Sequence, residues 1–369
     1  MNNLELVKNV PSGRDSYTHD YHRTDNALNK FMDEFTKING HQKVLYIHIP
    51  YCVSKCKYCK WQSSIGETTD VNQHCLITLS DQINKVMDVF GDIKFFHEVY
   101  FGGGTPTMAS YSVLEKLFKR IPNFMKIQNK CIEASPDTLT VDHVKLFKEY
   151  NFDFISVGIQ TLNPLIAYKQ NRPYISHQEC IDLAHYLVHH GFYTNFDMIC
   201  FLNYGDIRDI PQFGRDLDFL MNEARPTSIT IHQQHYAFQS IEKTTKLIEL
   251  IKDKITGSGR FSFNQSWRCV NTVLDVNNAE MDAMYRAEYK IARSNYSYMH
   301  HLWDKYNLNL KNQYDVLALG STPNHPIKSF CNEMIYDWNS DSMIEGPFYE
   351  YPPQMFNQLY NFRRLMNYE

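Results

Sequence analysis

The sequence predicts an α/β fold: an incomplete parallel (β/α)6 barrel, or partial TIM barrel, with an N-terminal extension and a smaller C-terminal region. From residue 44 onward, short β-rich runs alternate with helix-length segments of patterned apolar residues. The runs recur roughly every 35 residues, close to the about 31 residues per unit of an eight-unit barrel of about 250 residues. Such units build a parallel sheet through right-handed crossovers. The candidate strands are residues 44–49, 97–101, 130–134, 154–159, 193–199 and 228–232.

These units divide the chain into three regions. Residues 1–42 are a polar N-terminal extension, residues 43–240 hold the barrel units, and residues 241–369 form the C-terminal region. Because six units leave a barrel open on one side, we expect the C-terminal region to cover the barrel and the substrate cavity. The extension contains one amphipathic helix, and its apolar face carries Leu28, Phe31, Met32 and Phe35.

Composition and charge argue against several classes of protein. The chain has 369 residues, 43% of them hydrophobic, which is enough to bury a large core. A net charge of −4 without a basic block disfavours nucleic-acid binding. No stretch approaches the about 18 to 20 apolar residues of a membrane span, and we expect no membrane partner. The nine cysteines are mostly scattered, which favours reduced thiols and a cytoplasmic location.

Three cysteines lie close together after the first predicted strand. Cys52, Cys56 and Cys59 are spaced C-x3-C-x2-C, and a helix-like segment, residues 71–90, follows them. A loop at the carboxyl end of a strand is where α/β barrels place their chemistry. Three thiolates leave one iron of a [4Fe-4S] cluster open to a small molecule. Radical S-adenosylmethionine (SAM) enzymes have this arrangement, in which the cluster cleaves SAM to a 5′-deoxyadenosyl radical.

A zinc site is the alternative for the same cysteines. With His48 or His74, the trio would supply the ligands of a Cys3His site. Zinc sites of this kind lie in small, loop-rich modules, whereas here a strand-like run precedes the cysteines and a helix-like segment follows. The position of the trio in the chain therefore favours the cluster.

A glycine-rich loop follows the second predicted strand. Residues 101–107 read FGGGTPT, and the three successive glycines let backbone groups lie against a ligand. The loop lacks the GK[ST] of a phosphate-binding P-loop and the G-x-G-x-x-G of a dinucleotide site, and a plain tight turn is the other alternative. Because the cysteine trio is one strand away, we favour contact with the methionine end of SAM.

Together these motifs resemble a known family. The segments YIHIPYC (46–52), CKYC (56–59), GGGTPT (102–107) and SVGIQ (156–160), with Glu133 and Arg172, are similar to those of the oxygen-independent coproporphyrinogen III oxidase and haem-chaperone group of radical SAM proteins. This group includes methyltransferase and cyclopropane-forming relatives. The likeness runs in order from about residue 44 to residue 200.

The resemblance assigns roles to individual residues. It implies that the three cysteines hold a [4Fe-4S] cluster, that a carboxylate accepts from the ribose or amino group of SAM, and that a guanidinium clamps a carboxylate. It also implies a second SAM molecule in the same cavity, which in the methyltransferase-like relatives donates one carbon. The implied SAM-binding residues are Tyr58, Gly102, Gly103, Gly104, Thr105, Glu133, Gln160, Arg172 and Asp197.

Four residues are candidates near the substrate. Tyr46 matches a family tyrosine close to the second SAM and, with Gln160, is a candidate catalytic residue. Gln234 and His235 follow the sixth predicted strand, where we expect contact with the substrate or the second SAM.

Two departures from the family pattern direct the functional prediction. Residues 197–203 read DMICFLN where family members read DLIYGLP, and Lys60 and Trp61 replace the extra cysteine of the porphyrinogen oxidases. We therefore predict methyl or methylene transfer to an sp2 carbon of an unsaturated or aromatic substrate. Oxidative decarboxylation of the coproporphyrinogen type, other tetrapyrrole chemistry and a non-enzymatic haem chaperone stay open. The expected partners are a small-molecule or peptide-borne substrate and an electron donor such as flavodoxin or ferredoxin.

Overall fold

The computed structural model describes residues 26–37, 42–59, 63–90, 96–200, 210–233, 246, 249–251, 253–254, 261–264, 271–276, 314–325, 327–331 and 334–345. Its strands are β1 (Gln42–Ile49), β2 (Tyr51–Cys52), β3 (Ser64–Ile65), β4 (Glu98–Gly103), β5 (Asn129–Ala134), β6 (Phe154–Gln160), β7 (Tyr193–Cys200), β8 (Ser228–Gln233), β9 (Phe261–Asn264), β10 (Asn271–Val276), β11 (Tyr314–Leu319), β12 (Lys328–Cys331), β13 (Met334–Asp337) and β14 (Ser342–Glu345).

Helices follow most of the parallel strands. They are α1 (Ala27–Phe35), α2 (Thr68–Gln73), α3 (Ser80–Phe90), α4 (Tyr111–Arg120), α5 (Val141–Glu149), α6 (Pro164–Lys169), α7 (His177–His189) and α8 (Ile210–Phe219). A π-helical turn, His74–Leu79, joins α2 to α3, and a second one, Leu220–Ala224, continues α8. None of the helices among the described residues has the length and apolar content that a membrane crossing would need.

The predicted α/β class is confirmed, and the parallel part of the sheet has seven strands in the order β11-β1-β4-β5-β6-β7-β8. Six of them are the predicted strands. The seventh, β11, pairs in parallel with β1, with Val44 opposite Val316. The sequence prediction places this segment in the C-terminal region, because the long interval after β8 breaks the regular βα spacing.

Antiparallel strands extend the sheet at both edges. Strands β12, β13 and β14 continue it beyond β11, and β10 and β9 continue it beyond β8. The predicted amphipathic helix is α1, and it packs near the first of these edges, with the Phe31 ring 5.7 Å from that of Tyr336. The domain boundaries at residues 42 and 240 stay a prediction.

The two faces of the parallel sheet differ in chemistry, because successive side chains on a strand alternate between faces. On the helix side, Phe101 of β4 packs against Phe118 of α4, with ring centroids 5.1 Å apart. On the opposite face, Tyr100 of the same strand donates a hydrogen bond to Glu133 of β5. Aromatic packing therefore anchors the helices, and the other face carries the polar groups of the candidate site.

Candidate active site

The three cysteines lie on one loop at the carboxyl end of β1. Cys59 N–H donates to the Cys56 carbonyl at 3.1 Å, which forms a tight turn. The loop is also fixed from outside, because Lys57 N–H donates to the Gln170 carbonyl at 3.0 Å and the Asn171 amide donates to the Lys55 carbonyl at 3.1 Å. None of the three cysteines is in a disulfide; Cys56 is buried and the other two are half-buried.

The structure does not bring the histidines of the zinc alternative together with the cysteines. Within the described part of the chain, no three His, Cys, Asp or Glu side chains converge on one ion. The two histidines of the zinc alternative also have other contacts: His48 Nδ1 lies 3.0 Å from the Tyr46 hydroxyl, and His74 Nε2 donates to the His48 carbonyl at 3.2 Å. A cube-shaped cluster instead takes one thiolate at each of three irons.

Two donors lie beside the cysteine sulfurs. The Thr105 hydroxyl is 3.5 Å from Cys52 Sγ, and Lys55 Nζ is 4.0 Å from Cys59 Sγ. Hydrogen bonds to cluster sulfurs and ligand thiolates tune the reduction potential. Thr105 therefore supports the cysteine loop in this structure, while its predicted contact with SAM stays a prediction.

The glycine loop packs directly on the segment that carries Cys52. A Cβ atom on Gly104 would lie 2.4 Å from the Tyr51 carbonyl oxygen, and Gly103 has a φ of +120°, so side chains are excluded at both positions. Gly104 N–H donates to the Ile49 carbonyl at 2.8 Å, and Thr105 N–H donates to the Tyr51 carbonyl at 2.7 Å. Both N–H groups therefore already donate hydrogen bonds to backbone carbonyls of the protein. The amino group of SAM is itself a donor and would meet carbonyl oxygens of the loop.

Glu133 projects from the end of β5 towards this loop. Its Oε1 accepts from the Tyr100 hydroxyl at 2.8 Å, and its Oε2 accepts from Gly103 N–H at 3.3 Å. Burial, reinforced by the charge of Glu133, raises the pKa of Tyr100 well above its usual range, so the phenol stays protonated and donates. Tyr100 is a site residue that the sequence interpretation missed. Strand alternation alone places it on the same face as Gly102.

Arg172 and Gln160 meet over Gly158 at the end of β6. A Cβ on Gly158 would lie 2.6 Å from Gln160 Nε2 and 3.3 Å from Arg172 Nη2. Arg172 Nη2 donates to the Gly158 carbonyl and, at 2.9 Å, to the Ser135 hydroxyl. Gln160 has a φ of 70°, a left-handed conformation that is rare for a residue with a side chain, at a shift in the β6–β7 register.

Two buried polar atoms in this group have no hydrogen-bond partner among the described residues. They are Gln160 Oε1 and Arg172 Nε. Buried polar atoms in native proteins are nearly always paired, and an unpaired one often marks the place of an absent ligand. One unpaired acceptor and one unpaired donor on these two residues fit a ligand with both amino or hydroxyl and carboxylate groups, as SAM has. This observation supports the predicted SAM pocket.

Tyr58 connects this pocket to the cysteines. Burial raises the pKa of the Tyr58 phenol well above its usual range, and the positive charge of Arg172 opposes that rise. The next causes of the shift are the Cys56 thiol and, more weakly, Cys59. The structure therefore brings Tyr58, Arg172 and the cysteine loop together.

Asp197 lies on β7 in a network of hydrogen bonds. Its Oδ2 accepts from the Ser156 hydroxyl at 2.8 Å, and its Oδ1 accepts from the Asn195 amide at 2.9 Å. The Asn195 carbonyl oxygen in turn accepts from the hydroxyls of Ser228 and Thr230 at 2.8 and 2.9 Å. The network fixes the orientation of the Asp197 carboxylate on the polar face of the sheet.

The predicted catalytic residues lie apart. Tyr46 is on β1, beside His48 and with its ring 6.2 Å from that of Tyr100. Gln160 is on β6, three positions away in the strand order. Their catalytic roles stay predictions, and Gln234 and His235 lie outside the described residues.

The buried His48 predicts how stability depends on pH. Burial, followed by repulsion from His74 and His325, lowers the pKa of His48 from 6.5 to about 3. Between these values the unfolded chain binds a proton that the folded chain does not, so stability is lost as the pH falls below 6.5. We expect His48 to account for about 2 kcal/mol of the loss between pH 7 and pH 5. Urea unfolding of the cluster-free protein should show a smaller decline for His48→Gln, and equal declines would contradict this account.

Comparison with known proteins identifies the domain. The family model for the radical SAM superfamily matches residues 46–217. The chain is 30% identical over 135 residues to a protein named heme chaperone HemW from Bacillus subtilis, covering 35% of each chain. It is 29% identical over 164 residues to an oxygen-independent coproporphyrinogen III oxidase from Bradyrhizobium diazoefficiens, covering 43% of this chain and 36% of the relative. The matches therefore span about a third of the length of these relatives.

A solved structure supports the fold. Coproporphyrinogen III oxidase (HemN) from Escherichia coli, described as a radical SAM enzyme, superposes with a TM-score of 0.65 over 91% of this chain and 74% of its own. The sequences are 16% identical in this alignment, so the likeness concerns the fold alone. The resemblance inferred from the motifs is confirmed.

Proposed function

Since the chain carries a radical SAM domain over residues 46–217, we propose that it is an enzyme that cleaves SAM reductively to start radical chemistry on a small-molecule or peptide-borne substrate. The observation that carries the proposal is that the cysteine loop, through Cys56 and Tyr58, adjoins Arg172, whose Nε has no hydrogen-bond partner among the described residues, and that Gln160 Oε1 nearby also has none. When bound, a [4Fe-4S] cluster on these cysteines supplies the electron that splits SAM into methionine and a 5′-deoxyadenosyl radical.

The described residues divide the binding of SAM between them. Arg172 offers its Nε–H to an acceptor on SAM, and Gln160 Oε1 accepts from a donor. Glu133 faces the glycine loop with a carboxylate that Tyr100 and Gly103 hold in place. Asp197, oriented by Ser156 and Asn195, suits a pair of ribose hydroxyls. Fixed groups of this kind hold the reacting bond of SAM in one position.

The finer proposal is one-carbon transfer from a second SAM to an sp2 carbon of an unsaturated or aromatic substrate. It rests on the changed sequence DMICFLN after β7 and on Tyr46, whose hydroxyl faces the polar side of the sheet beside His48. In this reaction the radical would take a hydrogen atom from the methyl group of the second SAM, and the resulting methylene radical would add to the substrate. A second electron from the electron donor would then allow the carbon–sulfur bond to break, with S-adenosylhomocysteine as the leaving group.

A second candidate is an oxidative reaction of the kind named in the oxidase relatives, and the similarity to coproporphyrinogen III oxidase favours it. The similarity to a heme chaperone favours a third, non-enzymatic candidate. The chaperone candidate predicts stoichiometric haem binding without turnover of SAM. The alignments cover 35% and 36% of these two relatives, so the activity of neither relative is assigned to this chain.

Isotope labelling separates transfer from oxidation. With methyl-deuterated SAM, one-carbon transfer passes deuterium into 5′-deoxyadenosine and adds labelled carbon to the product. Oxidation gives unlabelled 5′-deoxyadenosine, because the hydrogen atom then comes from the substrate. Mass spectrometry of both products after anaerobic turnover measures the difference. Unlabelled 5′-deoxyadenosine together with a product of unchanged carbon number would remove the transfer proposal and leave the oxidative candidate.

A further inference from the structure

Three side chains on the polar face of the sheet meet at Gly102, the first glycine of the glycine loop. A Cβ atom at this position would lie 3.0 Å from the Tyr100 ring, 3.1 Å from the Tyr46 ring and 3.1 Å from Glu133 Oε2. These side chains come from the neighbouring strands β1, β4 and β5. The absence of a side chain at residue 102 therefore lets two phenols and one carboxylate pack closely together.

The two phenols of this group have different hydrogen-bond partners. The Tyr100 hydroxyl donates to Glu133 Oε1 at 2.8 Å, whereas the Tyr46 hydroxyl lies 3.0 Å from His48 Nδ1. Burial is the main cause that raises the pKa of each phenol well above its usual range. Tyr100 therefore donates to the carboxylate as a neutral phenol over the whole physiological pH range.

Tyr100 supports Glu133 from the buried side. Tyr100 is 5% exposed, whereas Glu133 is half-buried. In the β4–β5 register Tyr100 lies opposite Cys131, so Glu133 is two residues nearer to the carboxyl end of β5. A carboxylate can accept about four hydrogen bonds. Because Tyr100 donates to one oxygen and Gly103 N–H donates to the other at 3.3 Å, the rotation of the carboxylate is fixed.

We propose that Tyr100 is a positioning residue for SAM, whose hydroxyl sets the orientation in which Glu133 accepts from a donor group of SAM. The inference rests on the proposed function, since it requires SAM to bind beside Glu133. A carboxylate that is already held in its binding orientation loses less conformational freedom when the ligand arrives, which increases the affinity. Removing the Tyr100 hydroxyl should therefore weaken SAM binding only while the carboxylate is present.

A double-mutant cycle on cluster-loaded protein tests this role, with the affinity for SAM, measured by isothermal titration, as the readout. Tyr100→Phe removes one oxygen atom and keeps the ring, and we expect about a five- to tenfold loss of affinity. In the Glu133→Ala background, the same substitution should change the affinity by less than about twofold. A hydroxyl that only supports the fold would weaken SAM binding by the same factor in both backgrounds.

Tyr336→Phe is the matched control. Tyr336 is also buried, and its hydroxyl donates to the Asp341 carboxylate at 2.8 Å, near one edge of the sheet. Both Tyr→Phe variants should lower the urea midpoint of the cluster-free protein, because each loses a hydrogen bond to a carboxylate. Only Tyr100→Phe should lose affinity for SAM, and iron content shows in each case that the cluster is assembled.

The outcomes separate the positioning role from the proposed function. Wild-type affinity for SAM in Tyr100→Phe, or an equal loss of affinity in the two backgrounds, would overturn the positioning role. Cluster-loaded wild-type protein that does not bind SAM would instead contradict the proposed function.

Discussion

We expect Cys56→Ala to lose the [4Fe-4S] cluster and all cleavage of SAM. Cys56 is the buried member of the trio, and its carbonyl accepts the hydrogen bond that forms the turn before Cys59. With only two thiolates left, the loop lacks a ligand for one of the three irons that the protein must hold. After anaerobic reconstitution, wild type should contain about four irons per chain, and its EPR signal should shift when SAM binds. The variant should show neither property.

A second buried cysteine provides the control. Cys180 is fully buried in α7, away from the loop, and Cys180→Ala removes a thiol from the hydrophobic core. We expect this variant to lose stability through packing and to keep its iron and its SAM cleavage. A full cluster with undiminished SAM cleavage in Cys56→Ala would show that the cysteine loop is not the cluster site.

Removing charge from the SAM pocket should weaken SAM binding and spare the cluster. Glu133→Ala deletes a carboxylate at the glycine loop, and Arg172→Ala deletes a guanidinium whose Nε has no partner among the described residues. A lost hydrogen bond to a charged group costs about 1.5 to 3 kcal/mol, which is about a ten- to hundredfold loss of affinity. Isothermal titration of cluster-loaded protein with SAM measures this change.

Two further variants test whether the loss of SAM affinity depends on the shape of the charged group and on its position. Arg172→Lys keeps the positive charge and loses the forked guanidinium, so we expect an affinity between those of wild type and Arg172→Ala. Glu179→Ala removes an exposed carboxylate at the start of α7 and should not change SAM affinity. Iron content confirms in each case that the cluster is assembled. Wild-type affinity in both Glu133→Ala and Arg172→Ala would place the SAM site elsewhere.

Local patterns in the sequence were sufficient to predict six of the seven parallel strands. The six predicted strands are β-rich runs with helical segments between them, and regular spacing identified them as one sheet. Strand β11 has a similar local pattern, DVLAL within Tyr314–Leu319, but it lies far from β8 in sequence. Its place beside β1 depends on tertiary pairing, which local periodicity does not encode.

The candidate site likewise contains some residues that the sequence predicts and others that it does not. The cysteines and the glycine loop are recognisable because several required residues are adjacent in the sequence. The contact between Tyr100 and Glu133 depends instead on how β4 is aligned with β5, and residues 33 positions apart carry no local signal of such a pair. The left-handed conformation of Gln160 was also not predictable, because that backbone region is rare for residues other than glycine.

The pairing of β1 with β11 also constrains when the protein can finish folding. Lys43 and Asp315 form a buried ion pair between these strands, and they are 272 positions apart in the chain. At about 5 to 20 residues per second, translation of that interval takes about 14 to 54 seconds. During this time the strand that leads into the cysteine loop lacks one neighbour, and its open edge can pair with other chains. We therefore expect iron and sulfide to be delivered to this loop only after β11 has been made and has paired with β1.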